Sequence, residues 1–253
     1  MNKETILLKG IETLCNDNEI NTLIAPNREN IILQLTRYIN EIELFNSAYG
    51  LVGTNNTEEL IIKHILDSLA PLGIISHILS SLPRAYASPC ESLSSRTSQT
   101  EASPSPCDPL IQYNAADAGS GAGLPGIPLS IAMPRCHFSL IERMGRRAGF
   151  LHNTKAALSL SNISVEECEI EKAASGRFDL VTFRAFKPLD PKTLKTLFKL
   201  CAPRGIIAAY KGKIEKIEAE MSSLADNTKW EAIPYAVPFL EEKRHMLVIR
   251  AIH

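Results

Sequence analysis

Between Asp117 and Gly126 the chain reads D-A-G-S-G-A-G-L-P-G, with glycines spaced as they are where backbone must approach a ligand closely. Gly121, Gly123 and Gly126 fit G-x-G-x-x-G, the fingerprint of dinucleotide binding. Glu142 stands 21 residues after Gly121, where an acid can accept hydrogen bonds from ribose hydroxyls. A nicotinamide-dependent oxidoreductase is therefore one reading. Two features favour another. Asp117 precedes Gly119 by two residues, giving D-x-G-x-G, an acidic first turn typical of sheets that bind S-adenosylmethionine. Its carboxylate attracts the cationic methionine end of that ligand and repels a pyrophosphate. Pro125 and Pro128 crowd the start of the following helix and take away amide donors that a pyrophosphate would use. The favoured cofactor is S-adenosylmethionine.

Arg184 ends the largely apolar run F-D-L-V-T-F with a guanidinium. In a doubly wound sheet the ligand lies at the carboxyl ends of the strands, where the strand order reverses. Arg184 is accordingly expected to face the loop Gly119–Gly123, in contact with cofactor or reacting groups; the other reading is a structural pair with Glu142 or another carboxylate. His64 lies three residues before Asp67 and four before Ser68, so the three share a helix face, open to acid–base work or to a structural role. Arg143, Arg146, Arg147 and Lys155 form one basic group, and Lys187, Lys211, Lys213 and Lys216 another. Such groups give salt-sensitive affinity for nucleic-acid phosphates, or simply form a solvated face. The six cysteines are scattered without a C-x-x-C pair, which suits free thiols in a reducing cytoplasm and offers no metal site.

These residues need a frame. From Tyr113 onward strands and helices alternate: candidate strands are Tyr113–Ala118, His137–Glu142, Ile163–Cys168, Phe178–Arg184, Gly205–Tyr210 and His245–Ile252. The clearest helical patterns between them are Arg146–Leu160 and Lys192–Cys201. This alternation predicts an α/β, doubly wound, mostly parallel sheet over residues 111–253. Residues 1–82 read as a helical appendage. Ile31, Leu35, Tyr38, Ile42, Phe45 and Tyr49 form one apolar stripe, with Pro26-Asn27 as start and Gly50 as stop. A further helix is expected after Thr57 as N-cap. Residues 83–110 are rich in Ser, Thr and Pro and poor in large apolar residues, the composition of a flexible insertion. Of 253 residues, 45% are hydrophobic and 22% charged, enough for one large core. The amino terminus is too charged for a signal peptide, and no apolar run approaches the ~20 residues of a membrane span. The net charge of −1 divides into −5 over residues 1–82 and +4 over the remainder, so a polyanion-binding surface is expected on the second part.

The segment G-S-G-A-G-L-P-G-I-P-L at 119–129 closely resembles the core motif of the glucose-inhibited division protein B family, bacterial methyltransferases of small-subunit ribosomal RNA. The likeness continues in K-H-I-L-D-S at 63–68, H-F-S-L-I-E-R-M-G-R-R at 137–147 and F-D-L-V-T-F-R-A-F at 178–186. It extends to A-Y-K-G at 209–212 and R-H-M-L-V-I at 244–249. The chain departs from the family in a less aliphatic first strand, in A-Y-G-L where Y-N-L is usual, and in the long Ser/Pro insertion. The resemblance implies a class I, Rossmann-like methyltransferase fold and methylation of guanine N7 in the 530 loop of 16S rRNA. It implies cofactor contacts from Gly119, Leu124, Ile170, Glu171 and Arg184, joined by Asp117, Gly121 and Gly123 of the same turn, with Glu142 as ribose-binding acid and Arg184 as the catalytic residue. Guanine N7 already carries an exposed lone pair, so His64 is not needed as a base and is expected to be structural or to orient RNA. Arg143, Arg146, Arg147, Lys187, Lys211 and Lys213 are expected to meet RNA in the same way. The implied partner is 16S rRNA or the small ribosomal subunit, with no membrane, and the protein is expected to be a cytoplasmic monomer. A ribosome-assembly factor that keeps the fold without catalysis is the third reading.

Overall fold

A computed structural model describes residues 2–82, 112–185, 189–224 and 228–251. Its strands are β1 (Tyr113–Ala118), β2 (Cys136–Ile141), β3 (Ile163–Glu166), β4 (Phe178–Arg184), β5 (Cys201–Lys211), β6 (Thr228–Tyr235) and β7 (Arg244–Ala251). They form one sheet in the order β3-β2-β1-β4-β5-β7-β6. The first five strands run parallel, while β7 is antiparallel to both β5 and β6. This is the doubly wound sheet expected from the alternation of elements. Its order reverses between β1 and β4, so their carboxyl ends open the crevice where such sheets bind ligands.

β1 is the weakest strand by composition, yet it lies inside the sheet with a neighbour on each side. Ala115, Ala116 and Ala118 are fully buried, and pairing with β2 and β4 on both sides overrides alanine's poor strand propensity. β6 escaped the sequence reading because T-K-W-E-A-I-P-Y carries two charges and a proline. Those residues suit its place at the sheet edge, where a missing amide donor breaks no ladder.

Helices cover both faces. On one lie α1 (Lys3–Leu14), α2 (Asn18–Ile24), α3 (Arg28–Tyr49), α4 (Thr57–Leu60), α5 (Asp67–Leu69) and α6 (Leu72–Ser81), together with α7 (Gly126–Ala132) and α8 (Gly145–Ala157). Their apolar residues share one core with the sheet, from Ile6, Leu35 and Leu66 to Phe138 and Phe150. The N-terminal helical region is thus a layer over the sheet. On the other face, Leu194 and Leu197 of α9 (Pro191–Leu200) and Met221 of α10 (Ile214–Ser222) pack on Val181, Phe183 and Leu247.

Gly50 stops α3 in the left-handed conformation, with φ 59°, as its position in the sequence predicts. The start of α4 is one residue earlier than expected: Asn56, not Thr57, accepts the Glu59 N–H at 3.0 Å. Between α4 and α5 the helix widens into a π turn over Ile61–Leu66, a feature without a sequence signature. The stretch Thr57–Ser81 is 25 residues long and apolar enough to cross a membrane, contrary to the expectation that no run approaches that length. Two-thirds of its most apolar window is buried inside the protein, which is the behaviour of a core helix. The expected insertion, residues 83–110, lies outside the described residues.

Candidate functional site

The loop after β1 carries Gly119, Gly121 and Gly123, all at positive φ (71°, 59° and 92°), a conformation that favours glycine. Its amides are committed inside the protein. Gly119 and Ser120 donate to the Ile141 carbonyl at 2.9 and 3.0 Å. Gly121 donates to Glu142 Oε2 at 2.8 Å, and Gly126 to Asp117 Oδ2 at 2.9 Å. Gly126 is also a packing glycine, since a Cβ there would stand 2.4 Å from Leu140 Cδ2 and 2.8 Å from Asp117 Oδ2. The G-x-G-x-x-G spacing therefore does not present free amides to a pyrophosphate. Two carboxylates occupy the donors that a dinucleotide would need, which removes the physical basis of the nicotinamide reading.

Asp117 is fully buried. Oδ2 accepts from Ser120 Oγ at 2.6 Å and from Gly126, while Oδ1 is buried without a hydrogen-bond partner. Burial pushes its carboxyl up to about 6, against the opposing pull of the Ser120 and Gly126 hydrogen bonds. An orphaned buried carboxylate oxygen beneath a glycine loop suits a cationic ligand and opposes a phosphate. Asp117 is thereby an organiser of the loop as well as a candidate contact.

A cavity of about 620 Å³ opens beside this loop, lined by Gly119, Glu142, Arg143, Arg147, Ile170 and Glu171 among others. Glu142 has each oxygen engaged once, by Gly121 and by the Met144 N–H at 2.8 Å, and half of its acceptor capacity is left for ribose hydroxyls. Expected cofactor residues from three separate segments thus border one cavity. Of the other expected cofactor residues, Asp117, Gly121, Gly123, Leu124 and Arg184 do not border that space. Sequence reasoning missed Lys192, Cys168 and Ala185, which also line the cavity. Lys192 had a signal: it follows the helix cap Asp190 at the carboxyl end of β4.

Arg184 makes its hydrogen bonds to Lys63, His64 and Asp67, not to the glycine loop, while its charge still acts on Asp117. Its Nη1 donates to the Lys63 carbonyl at 2.8 Å and to Asp67 Oδ2 at 3.2 Å, and its Nη2 bonds His64 Nδ1. Guanidinium nitrogens only donate, so His64 Nδ1 accepts and the ring proton sits on Nε2. Burial and the neighbouring Arg184 charge push His64 down to about 4. Asp67, 5% exposed, also accepts from Tyr235 Oη at 3.1 Å and pairs with Arg244 Nε at 3.6 Å. Side chains from β4, β6 and β7 meet on this one carboxylate of α5. His64, Asp67 and Arg184 form a unit, as their common face predicted for the first two, whereas Tyr235 and Arg244 were not anticipated. Ser68 turns back on its own helix, donating to the His64 carbonyl at 2.6 Å.

The basic residues fall into three kinds. Arg143, Arg146 and Lys213 are exposed, and Arg143 borders the cavity. Arg147 and Lys211 are tied up: Arg147 Nη2 donates to the Gly50 carbonyl at 2.9 Å, and Lys211 is held by Glu220 at 2.8 Å. Lys211 is half-buried by that pair, which corrects its reading as a free phosphate contact. Lys187 lies outside the described residues. Among the described residues no group of three or more His, Cys, Asp or Glu side chains is placed to hold a metal.

A family model described as rRNA small subunit methyltransferase G matches residues 31–82 and 102–248. A ribosomal RNA small subunit methyltransferase G from Treponema denticola is 36% identical, covering 96% of this chain and 93% of that protein. Its namesake from Treponema pallidum is 35% identical over 85% of this chain and 83% of its own length. One from Escherichia fergusonii is 31% identical over 99% of this chain and 98% of its own length.

Proposed function

Because the chain belongs to the rRNA small subunit methyltransferase G family, we propose that it methylates guanine N7 in the 530 loop of 16S rRNA, with S-adenosylmethionine as the methyl donor. The observation that carries this reading is the cavity at the carboxyl ends of the strands, bordered by Gly119, Glu142, Ile170 and Glu171. Its loop amides are already taken by carboxylates. When bound, S-adenosylmethionine supplies an electrophilic methyl on a sulfonium. Gly119 and the Ile170–Glu171 pair would bound its space and Glu142 would accept from its ribose hydroxyls, while buried Asp117 would act through its negative charge and its hold on Ser120 and Gly126.

Guanine N7 attacks with a lone pair it already has, so the site needs to position and desolvate rather than to remove a proton. That fits a neutral His64 and an Asp67 already engaged by Arg184, Tyr235 and Arg244. Arg184 serves as a positioning residue that fixes the π turn at the rim, and exposed Arg143, Arg146 and Lys213 meet RNA phosphates. Residues 111–253 form the methyltransferase unit, 1–82 its helical layer, and 83–110 an insertion between them. The enzyme works as a monomer in the cytoplasm, on rRNA or the small subunit.

Ligand-induced stabilisation separates the cofactor readings. S-adenosylmethionine at 100 times its Kd should stabilise the protein by about 2.7 kcal/mol, visible as a raised Tm, while NAD leaves Tm unchanged. A rise with NAD and none with S-adenosylmethionine would return the chain to the oxidoreductase reading.

A further inference from the structure

The glycine loop is held not only from the sheet but from the helical layer on top of it. Tyr38, in the middle of α3 and fully buried, donates its hydroxyl to the Ala122 carbonyl at 2.7 Å. Ala122 is itself 3% exposed and stands between Gly121 and Gly123. Those two glycines give the loop its shape, and their wide conformational freedom would also let the intervening peptide units rotate. The Ala122–Gly123 peptide is pinned at both ends instead. Its carbonyl accepts from Tyr38, and its N–H donates to the Ser120 carbonyl at 2.8 Å.

The same helix also reaches a residue of the cavity's lining. Gly50, which ends α3, accepts from Arg147, a residue lining the cavity from α8. One helix of 22 residues thus bonds the glycine loop from its middle and the cavity-lining Arg147 at its end.

We propose that Tyr38 is a positioning residue for cofactor binding, with α3 acting as the brace that presets the glycine loop. This rests on the reading of that loop as the S-adenosylmethionine site. Without the hydroxyl, the Ala122 carbonyl is left buried and unpaired, and the loop can recover a partner only by rotating out of its binding geometry. Part of the cofactor's binding free energy must then restore the loop. Burial holds the Tyr38 phenol far above its ordinary range, so it remains a donor at any working pH.

The test compares Tyr38→Phe with Tyr210→Phe. Tyr210 makes an equivalent buried bond, its hydroxyl donating to the Ser68 carbonyl at 2.7 Å, and it too links the sheet to the helical layer without touching the loop. Titration calorimetry with S-adenosylmethionine should show about fivefold weaker binding for Tyr38→Phe and unchanged binding for Tyr210→Phe, at similar losses of Tm. With small-subunit rRNA as acceptor, the KM for S-adenosylmethionine should rise by the same factor while kcat stays within about twofold. Equal affinity in wild type and Tyr38→Phe would overturn the inference and leave the cofactor reading standing. An equal loss in both variants would also overturn it, since the effect would then be general softening. Failure of the wild-type protein to bind S-adenosylmethionine would overturn the cofactor reading and this inference with it.

Discussion

His64 and Asp117 are buried to different depths and displaced in opposite directions, and their effects on stability oppose one another. His64 takes up its second ring proton in the folded state only near pH 4, whereas its ordinary value is 6.5. Between these values the unfolded chain binds more protons, so its contribution to stability grows as pH rises and is complete above about 6.5. Asp117 ionises in the folded state only near 6, against 3.8 ordinarily. There the folded state holds the extra proton, and stability falls as pH rises across that window. His64→Asn retains an acceptor for Arg184 while removing the titration. Urea unfolding of this variant between pH 4 and 6.5 should show a slope more negative than that of wild type, accumulating to at most about 3 kcal/mol. A slope equal to or more positive than that of wild type would mean that His64 is not held neutral by its surroundings. The sequence placed His64 beside Asp67 on a helix face. It could not show that β4 would deliver Arg184 to both, because that contact spans more than a hundred residues.

At the scale of elements, the π turn at Ile61–Leu66 is fixed to the sheet chiefly through Arg184. It fastens at the Lys63 carbonyl, His64 and the buried Asp67. Arg184 and Asp67 side chains are only 12% and 7% exposed, so removing the guanidinium leaves a buried carboxylate with Tyr235 and Arg244 as its remaining partners. Arg184→Ala should therefore lower stability by about 3 kcal/mol and slow methyl transfer at least tenfold, with S-adenosylmethionine affinity within about twofold of wild type. Calorimetry showing that cofactor binding is lost while Tm is unchanged would place Arg184 in the cofactor site instead. The elements were legible where hydrophobic periodicity was strong, as along α3, and where caps were explicit, as at Gly50. They were not legible in β6, whose charges and proline mark an edge, nor in the π turn, whose Lys63 carbonyl and His64 ring meet Arg184 of β4. In the glycine loop the spacing was legible but its use was not. Gly126 answers to the close approach of Leu140 and Asp117 rather than to a phosphate.

For the whole molecule, the helical layer and the sheet act as one body because they share a core and are cross-linked by buried polar contacts. Tyr38, Tyr210 and Arg184 each reach across to a backbone carbonyl. The alternation of strands and helices announced the sheet, and family motifs announced its chemistry. Long-range bonds of this kind leave no mark in local sequence, so the helical appendage was legible but not how it lies on the sheet. Three exposed basic residues share one end of the sheet: Arg143 and Arg146 follow the carboxyl end of β2, and Lys213 follows that of β5, which is the rim proposed above for RNA. The central claim is that this rim delivers a methyl group to one guanine. The most direct measurement is mass mapping of small-subunit rRNA, taken from cells lacking the gene and incubated with the purified protein and isotopically labelled S-adenosylmethionine. A single labelled methyl at N7 of a guanine in the 530 loop is expected. Label on another base or another ring position, or unlabelled RNA from a protein that binds the cofactor, would contradict it.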